Sequence, residues 1–123
     1  MSHKNRKRKA AKRESRALVF AALGDETRLG LVAALSSGEP ASISQLSAGS
    51  RLTRQAVTKH LRVLERAGIV RNLHVGRESL FAFDPRPLSE LHDYLDRMSR
   101  RWDDALARLK SFVEEEARTD KSQ

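Results

Sequence analysis

The chain has 123 residues, a formal net charge of +8 and no cysteine. That length suits a single domain, and the missing thiols exclude disulfides, thiolate metal sites and cysteine redox switches. The longest purely apolar run, Ala17–Leu23, has seven residues. It is far short of a membrane span and leads into Gly24-Asp25-Glu26 without a signal-peptide cleavage pattern, so a cytoplasmic, nucleoid-associated protein without membrane contact is expected.

Residues 1–14 carry seven basic side chains (Lys4, Arg6, Lys7, Arg8, Lys9, Lys12 and Arg13) against the single Glu14. Of the total of +8, that leaves +6 here and +2 for the rest. So little apolar content predicts a disordered basic arm, either a solubilising leader or a segment that tracks phosphates. A folded body is expected over residues 15–87. Its first helix spans Arg16–Leu23 and ends at Gly24. Asp25 is placed to cap a second helix, Glu26–Ser37, with Leu29, Val32, Ala33 and Leu35 as its core face. Gly38-Glu39-Pro40 breaks that helix. Ser42 and Gln45 then form a capping box that opens a third helix, ending near Gly49.

Thr53 caps the next helix, which Gly68 ends. Val57, Leu61 and Leu64 recur at i, i+4 and i+7, so one stripe must be buried. The opposite face presents Arg54, Gln55, Thr58, Lys59 and Arg62, all donors, with no carboxylate before Glu65. A solvated helix usually mixes signs, whereas this face suits a polyanion. Arg and Gln near the helix start also carry the forks that match guanine and adenine edges in a major groove. A DNA recognition helix is the expectation.

The period then changes from 3.6 to 2. Ile69–Val75 and Ser79–Phe83 read as strands joined at Gly76-Arg77-Glu78. Two helices across a short turn and then a hairpin give a mainly α, winged helix-turn-helix order. Arg77 at the turn would reach a flanking phosphate or the minor groove; otherwise it is a solvated turn residue. Asp84-Pro85-Arg86-Pro87 closes the hairpin. The last helix, residues 88–118, carries an unbroken heptad seam through Leu88, Leu91, Leu95, Met98, Trp102, Ala105, Leu109 and Phe112. So long a seam exceeds what a small body can cover. Leu91, Leu95, Met98, Trp102, Leu109 and Phe112 are therefore expected to hold a homodimer, together with the first helix. Residues 119–123 are expected to be a disordered tail.

Asp25-Glu26-Thr27-Arg28-Leu29 resembles the D-P-T-R-L start of the second helix in ArsR/SmtB-type repressors, with Glu26 in place of the usual proline. Thr53–Val70 is similar to their recognition helix at Val57, Thr58, His60, Leu61, Leu64, Ala67 and Gly68. Gly76-Arg77-Glu78 resembles their wing tip, and Trp102, Asp103, Leu106 and Leu109 resemble the last helix of one branch. The resemblance implies a homodimeric winged-helix repressor released from its operator by an effector. It assigns base or phosphate contacts to Arg54, Gln55, Thr58 and Lys59, while His60, beside the buried Leu61, reads as packing or polar support.

The family's metal chemistry is not expected. Ser42-Ile43-Ser44-Gln45-Leu46 stands where thiolate sites need cysteine. On the last helix Glu90 and His92 match a ligand pattern loosely, but Asp103 and Leu106 fill the remaining positions and Leu106 cannot ligate. His3, His60 and His74 form no spacing motif. No cofactor is expected, and no phosphate loop or nucleophile–base pair suggests an enzyme. The sequence thus reads as a sequence-specific regulator of transcription that binds double-stranded DNA as a homodimer and represses. The alternatives are an architectural DNA-binding protein of low specificity and a protein-interaction module or antitoxin. Control would come from an organic effector, a partner protein or concentration alone.

Overall fold

The computed structural model describes residues 3–121. Its elements in chain order are α1 (His3–Leu23), α2 (Glu26–Ser37), α3 (Ile43–Ala48), α4 (Arg54–Arg66), β1 (Val70–Val75), β2 (Glu78–Phe83) and α5 (Arg86–Lys121). The chain divides into two compact units, the first ending at Ser89 and the second beginning at Glu90.

In the first unit the core is organised around α4. Val57, Leu61 and Leu64 are fully buried, as are Ile69 and Val70 just beyond the helix. Val19 and Ala22 of α1, Leu31, Val32 and Leu35 of α2, and Phe81 of β2 complete this core. α4 packs on α1, α2, α3 and β1. Asp25, Ser42 and Thr53 cap α2, α3 and α4 as expected, each accepting a backbone N–H three residues on, and the Ser42–Gln45 capping box is complete in both directions. Each cap satisfies donors that the helix itself cannot, which fixes where the helix starts.

The hairpin is antiparallel, with Val70 opposite Phe83 and Val75 opposite Glu78. Gly76 takes φ +64°, and among the described residues none other than glycine has positive φ. A glycine alone in that region at the first turn position is the II′ pattern that suits the strand twist. The sequence reading missed a further pairing. Ala41, just before α3, exchanges backbone hydrogen bonds with Phe81 of β2, at 3.0 and 2.8 Å.

Three expectations need correction. The arm foreseen as disordered is helical from His3, so α1 reaches well beyond Arg16. Lys, Arg and Ala are strong helix formers, and without Gly or Pro the helix nucleated at Arg16–Leu23 propagates backwards; residues 1–2 lie outside the described residues. In α2, Leu31 is buried while Leu29 is 51% exposed and Ala33 also faces solvent. That helix is apolar nearly all round, so periodicity does not select a face, and Leu29 sits about 100° from Arg28 on the packed side. α5 continues to Lys121, so residues 119–121 of the expected tail are helical; residues 122–123 lie outside the described residues.

The second unit is the greater part of α5. Leu91 is buried and Met98 half-buried, but Leu95 is exposed, and Trp102, Leu109 and Phe112 are each more than half exposed. Leu106 and Val113 are similarly exposed and widen the seam beyond the positions foreseen.

Candidate nucleic-acid interface

The α3–turn–α4 segment is the middle of the candidate site. Thr53 accepts the Ala56 N–H at 3.1 Å, so α4 begins at Arg54 and its first turn is held open to solvent. Arg54, Gln55, Lys59 and Arg62 are exposed, and Thr58 is half-buried. Among the described residues, none of Arg54, Gln55, Lys59, Arg62 and Arg77 has its side chain in an ion pair or hydrogen bond. Exposed cations usually find a carboxylate when one is near, and here none is supplied. The positive end of the helix dipole adds to the same field.

Thr58 differs from its neighbours. Its hydroxyl donates back to the Arg54 carbonyl at 2.7 Å, a bond that spends its only proton within the helix. What Thr58 offers outward is its methyl group and oxygen lone pairs. Arg77 stands exposed at the tip of the β1–β2 hairpin, beside Gly76.

The back of α4 carries a polar junction that sequence reasoning assigned only in part. The Arg28 guanidinium donates to the Ala22 carbonyl at 2.7 Å and to the Ala21 carbonyl at 3.3 Å. Its Nη1 lies 3.3 Å from His60 Nδ1. A guanidinium can only donate, so this contact is a hydrogen bond in the tautomer whose Nδ1 is the acceptor. Asp25 Oδ2 lies 3.8 Å from the same nitrogen. The Arg28 N–H that Asp25 caps, helped by the Arg28 charge, holds this carboxyl below the usual carboxylate range despite its partial burial. Arg28 thereby ties the end of α1 and the start of α2 to α4. His60 gives polar support, as expected. The role of Arg28 was not foreseen, because a single exposed-looking arginine in sequence carries no sign of which carbonyls it will meet.

At the wing base Asp84 is buried, and Arg86 grips it with nitrogen–oxygen distances of 2.7–3.2 Å. Arg71 Nε lies 3.3 Å away. The hydrogen bonds from Arg86, then the nearby charges, pull the Asp84 carboxyl down to about 2. Its backbone N–H donates to the Ile69 carbonyl at 2.8 Å, so the end of β2 is locked to the start of β1. Among the described residues no three His, Asp or Glu side chains lie together as a metal set would, and no helix is long and apolar enough to cross a membrane.

Comparison with known proteins gives a consistent result. A family model described as a helix-turn-helix domain matches residues 23–72. The HTH-type transcriptional regulator Rv2034 of Mycobacterium tuberculosis is 33% identical over 95 residues, covering 77% of this chain and 85% of that protein. The structure of an ArsR-like transcriptional regulator from a Rhodococcus species superposes with a TM-score of 0.74 at 34% identity, over 83% of this chain and 95% of the other. At 19% identity and a TM-score of 0.63, the fold also matches Mb0332 of Mycobacterium bovis, described as a homodimeric winged helix-turn-helix DNA-binding domain; 81% of this chain and 88% of that one are covered. Agreement at a third identity across nearly whole relatives goes beyond fold, and the chain belongs to the ArsR-type winged helix-turn-helix transcriptional regulators.

Proposed function

We propose that this regulator binds double-stranded DNA sequence-specifically as a homodimer and represses by covering promoter DNA. The observation that carries the reading is the outer face of α4, where Arg54, Gln55, Lys59 and Arg62 project without an acidic partner among the described residues. Arg54 and Gln55 would read base edges, Lys59 and Arg62 would hold phosphates, and Arg77 would grip the flank. The uncovered seam of α5 supports dimerisation through Leu95, Met98, Trp102, Leu109 and Phe112. A two-fold dimer would set two recognition helices about 34 Å apart on a palindromic site. Occupying a promoter needs no further partner, which makes repression the simplest outcome, with release by an organic effector, a partner protein or dilution rather than by metal.

Selection of bound sites from random duplexes, with sedimentation of the protein and its complex, tests this reading. A palindromic consensus bound by two chains is the expected result. Equal affinity for all duplexes would favour the architectural alternative, for which the basic stretch of α1 speaks. In that case deleting residues 2–13 should flatten the dependence of affinity on salt by about 0.9 per lost phosphate contact.

A further inference from the structure

Between the start of α3 and the first two turns of α4 lies an open groove of about 370 Å³, lined by Ile43, Arg54, Gln55, Thr58 and Lys59. Its lining is mostly carbon, although four of these five residues are polar. Ile43 is the one residue of the set that presents nothing but carbon. Thr58, with its hydroxyl proton committed to the Arg54 carbonyl, contributes as an apolar residue too. An apolar hollow set among unpaired donors is out of place on a face that otherwise addresses phosphates and base edges.

Ile43 is also held firmly. It follows the Ser42–Gln45 capping box, in which the Ser42 N–H donates to Gln45 Oε1 at 2.9 Å and the Gln45 N–H to Ser42 Oγ at 3.1 Å. Two residues earlier, Ala41 is bonded to Phe81 on both sides of its backbone. A side chain carried on a backbone fixed at the cap and at Ala41 in this way can discriminate by shape. In a major groove the one apolar feature of a base edge is the thymine C5-methyl, and small apolar side chains are its usual partners.

We propose that Ile43, together with the methyl of Thr58, forms a thymine-methyl pocket, and that α3 thereby contributes to sequence selection beside the recognition helix. This rests on the reading of α4 as a base-reading helix. The charges of Arg54 and Lys59 draw the phosphates to either side, and the hollow between them receives the methyl of a base pair next to the one Gln55 addresses. Gln55 prefers adenine, so the favoured half-site carries an A·T pair with a thymine beside it.

The test uses the full-length protein and the duplex that it selects from a random pool. Each dT is replaced singly by dU, which removes the methyl and leaves every hydrogen-bonding group. Burying one methyl predicts about a fourfold loss at one thymine per half-site, and about fifteenfold when both half-sites are changed. Ile43→Ala and Thr58→Ser should each shrink the dT/dU ratio at that position, and Ile43→Val, a milder change, should keep part of it if the alanine variant folds poorly. No selected consensus at all would mean that the parent reading has failed. A consensus that tolerates dU at every position would overturn the pocket alone, as would a sensitive thymine whose ratio is unchanged in both the Ile43 and Thr58 variants.

Discussion

α4 and α5 carry the same kind of apolar stripe, with opposite outcomes. In α4, Val57, Leu61 and Leu64 are fully buried beneath the elements of their own unit. In α5, Trp102, Leu109 and Phe112 remain 57–58% exposed. A stripe on a helix states that a face has to leave water, but it does not name the surface that will cover it. For α4 the chain supplies the cover, and the opposite face is then free to be polar and unpaired. For α5 at Trp102, Leu109 and Phe112 no such cover is present among the described residues, which is what the proposed dimer would require of a face reserved for a second copy.

The contrast can be broken most directly by truncating one residue in each helix. Leu61→Ala should cost about 2–5 kcal/mol of stability, because it opens a cavity in a closed core; thermal melting measures it. Trp102→Ala should leave melting of the first unit within about 0.5 kcal/mol and shift the sedimentation profile toward monomer. If Trp102→Ala leaves a dimer intact at micromolar concentration, α5 is not the dimer surface. A smaller effect is expected on the polar side of α4. Arg54→Ala or Gln55→Ala should each lose about 1–3 kcal/mol at the selected site and relax base preference, while Lys59→Ala weakens all duplexes alike. Binding titrations on the selected duplex and on random duplexes distinguish these.

Smaller still is the helix start. Thr53→Ala should destabilise by about 1 kcal/mol through loss of the bond to the Ala56 N–H, and Thr53→Ser should restore most of it. The last effect is a pH dependence at the wing base. The Asp84 carboxyl is held at about 2 in the fold against an ordinary 3.8. A depressed value means stability that is complete above about pH 4 and is lost as pH falls toward about 2. Melting followed across that window should show the loss, and Asp84→Asn should remove this component of it.

Most of the first unit was legible in the sequence because its caps and breakers act locally. Asp25, Ser42 and Thr53 each satisfy a donor three residues away, so their meaning depends on no distant contact. The acid-free face of α4 was legible for the same reason, as charge and helical phase are both local. What escaped was set by tertiary contact. Leu29 and Leu31 are equally apolar, and only packing chose between them. The basic stretch of α1 has the composition of a disordered arm but also the propensities of a helix, and continuation from a packed segment decided in favour of the helix. Arg28 and Ala41 gained their roles from partners 32 and 40 positions further along, His60 and Phe81, a distance that no short motif can express.

The pairing of Ala41 with Phe81 has a mechanical consequence. It sets the segment before α3 beside β2 as a one-residue bridge, so two backbone hydrogen bonds tie the hairpin to the start of α3. If the wing grips flanking DNA as proposed, a tilt imposed on it by the curvature of that DNA would be passed through Ala41 to Ile43, two residues later. A bent duplex and a straight one with identical bases would therefore present different geometry to the start of α3, and the protein would register the stiffness of the flank as well as its sequence.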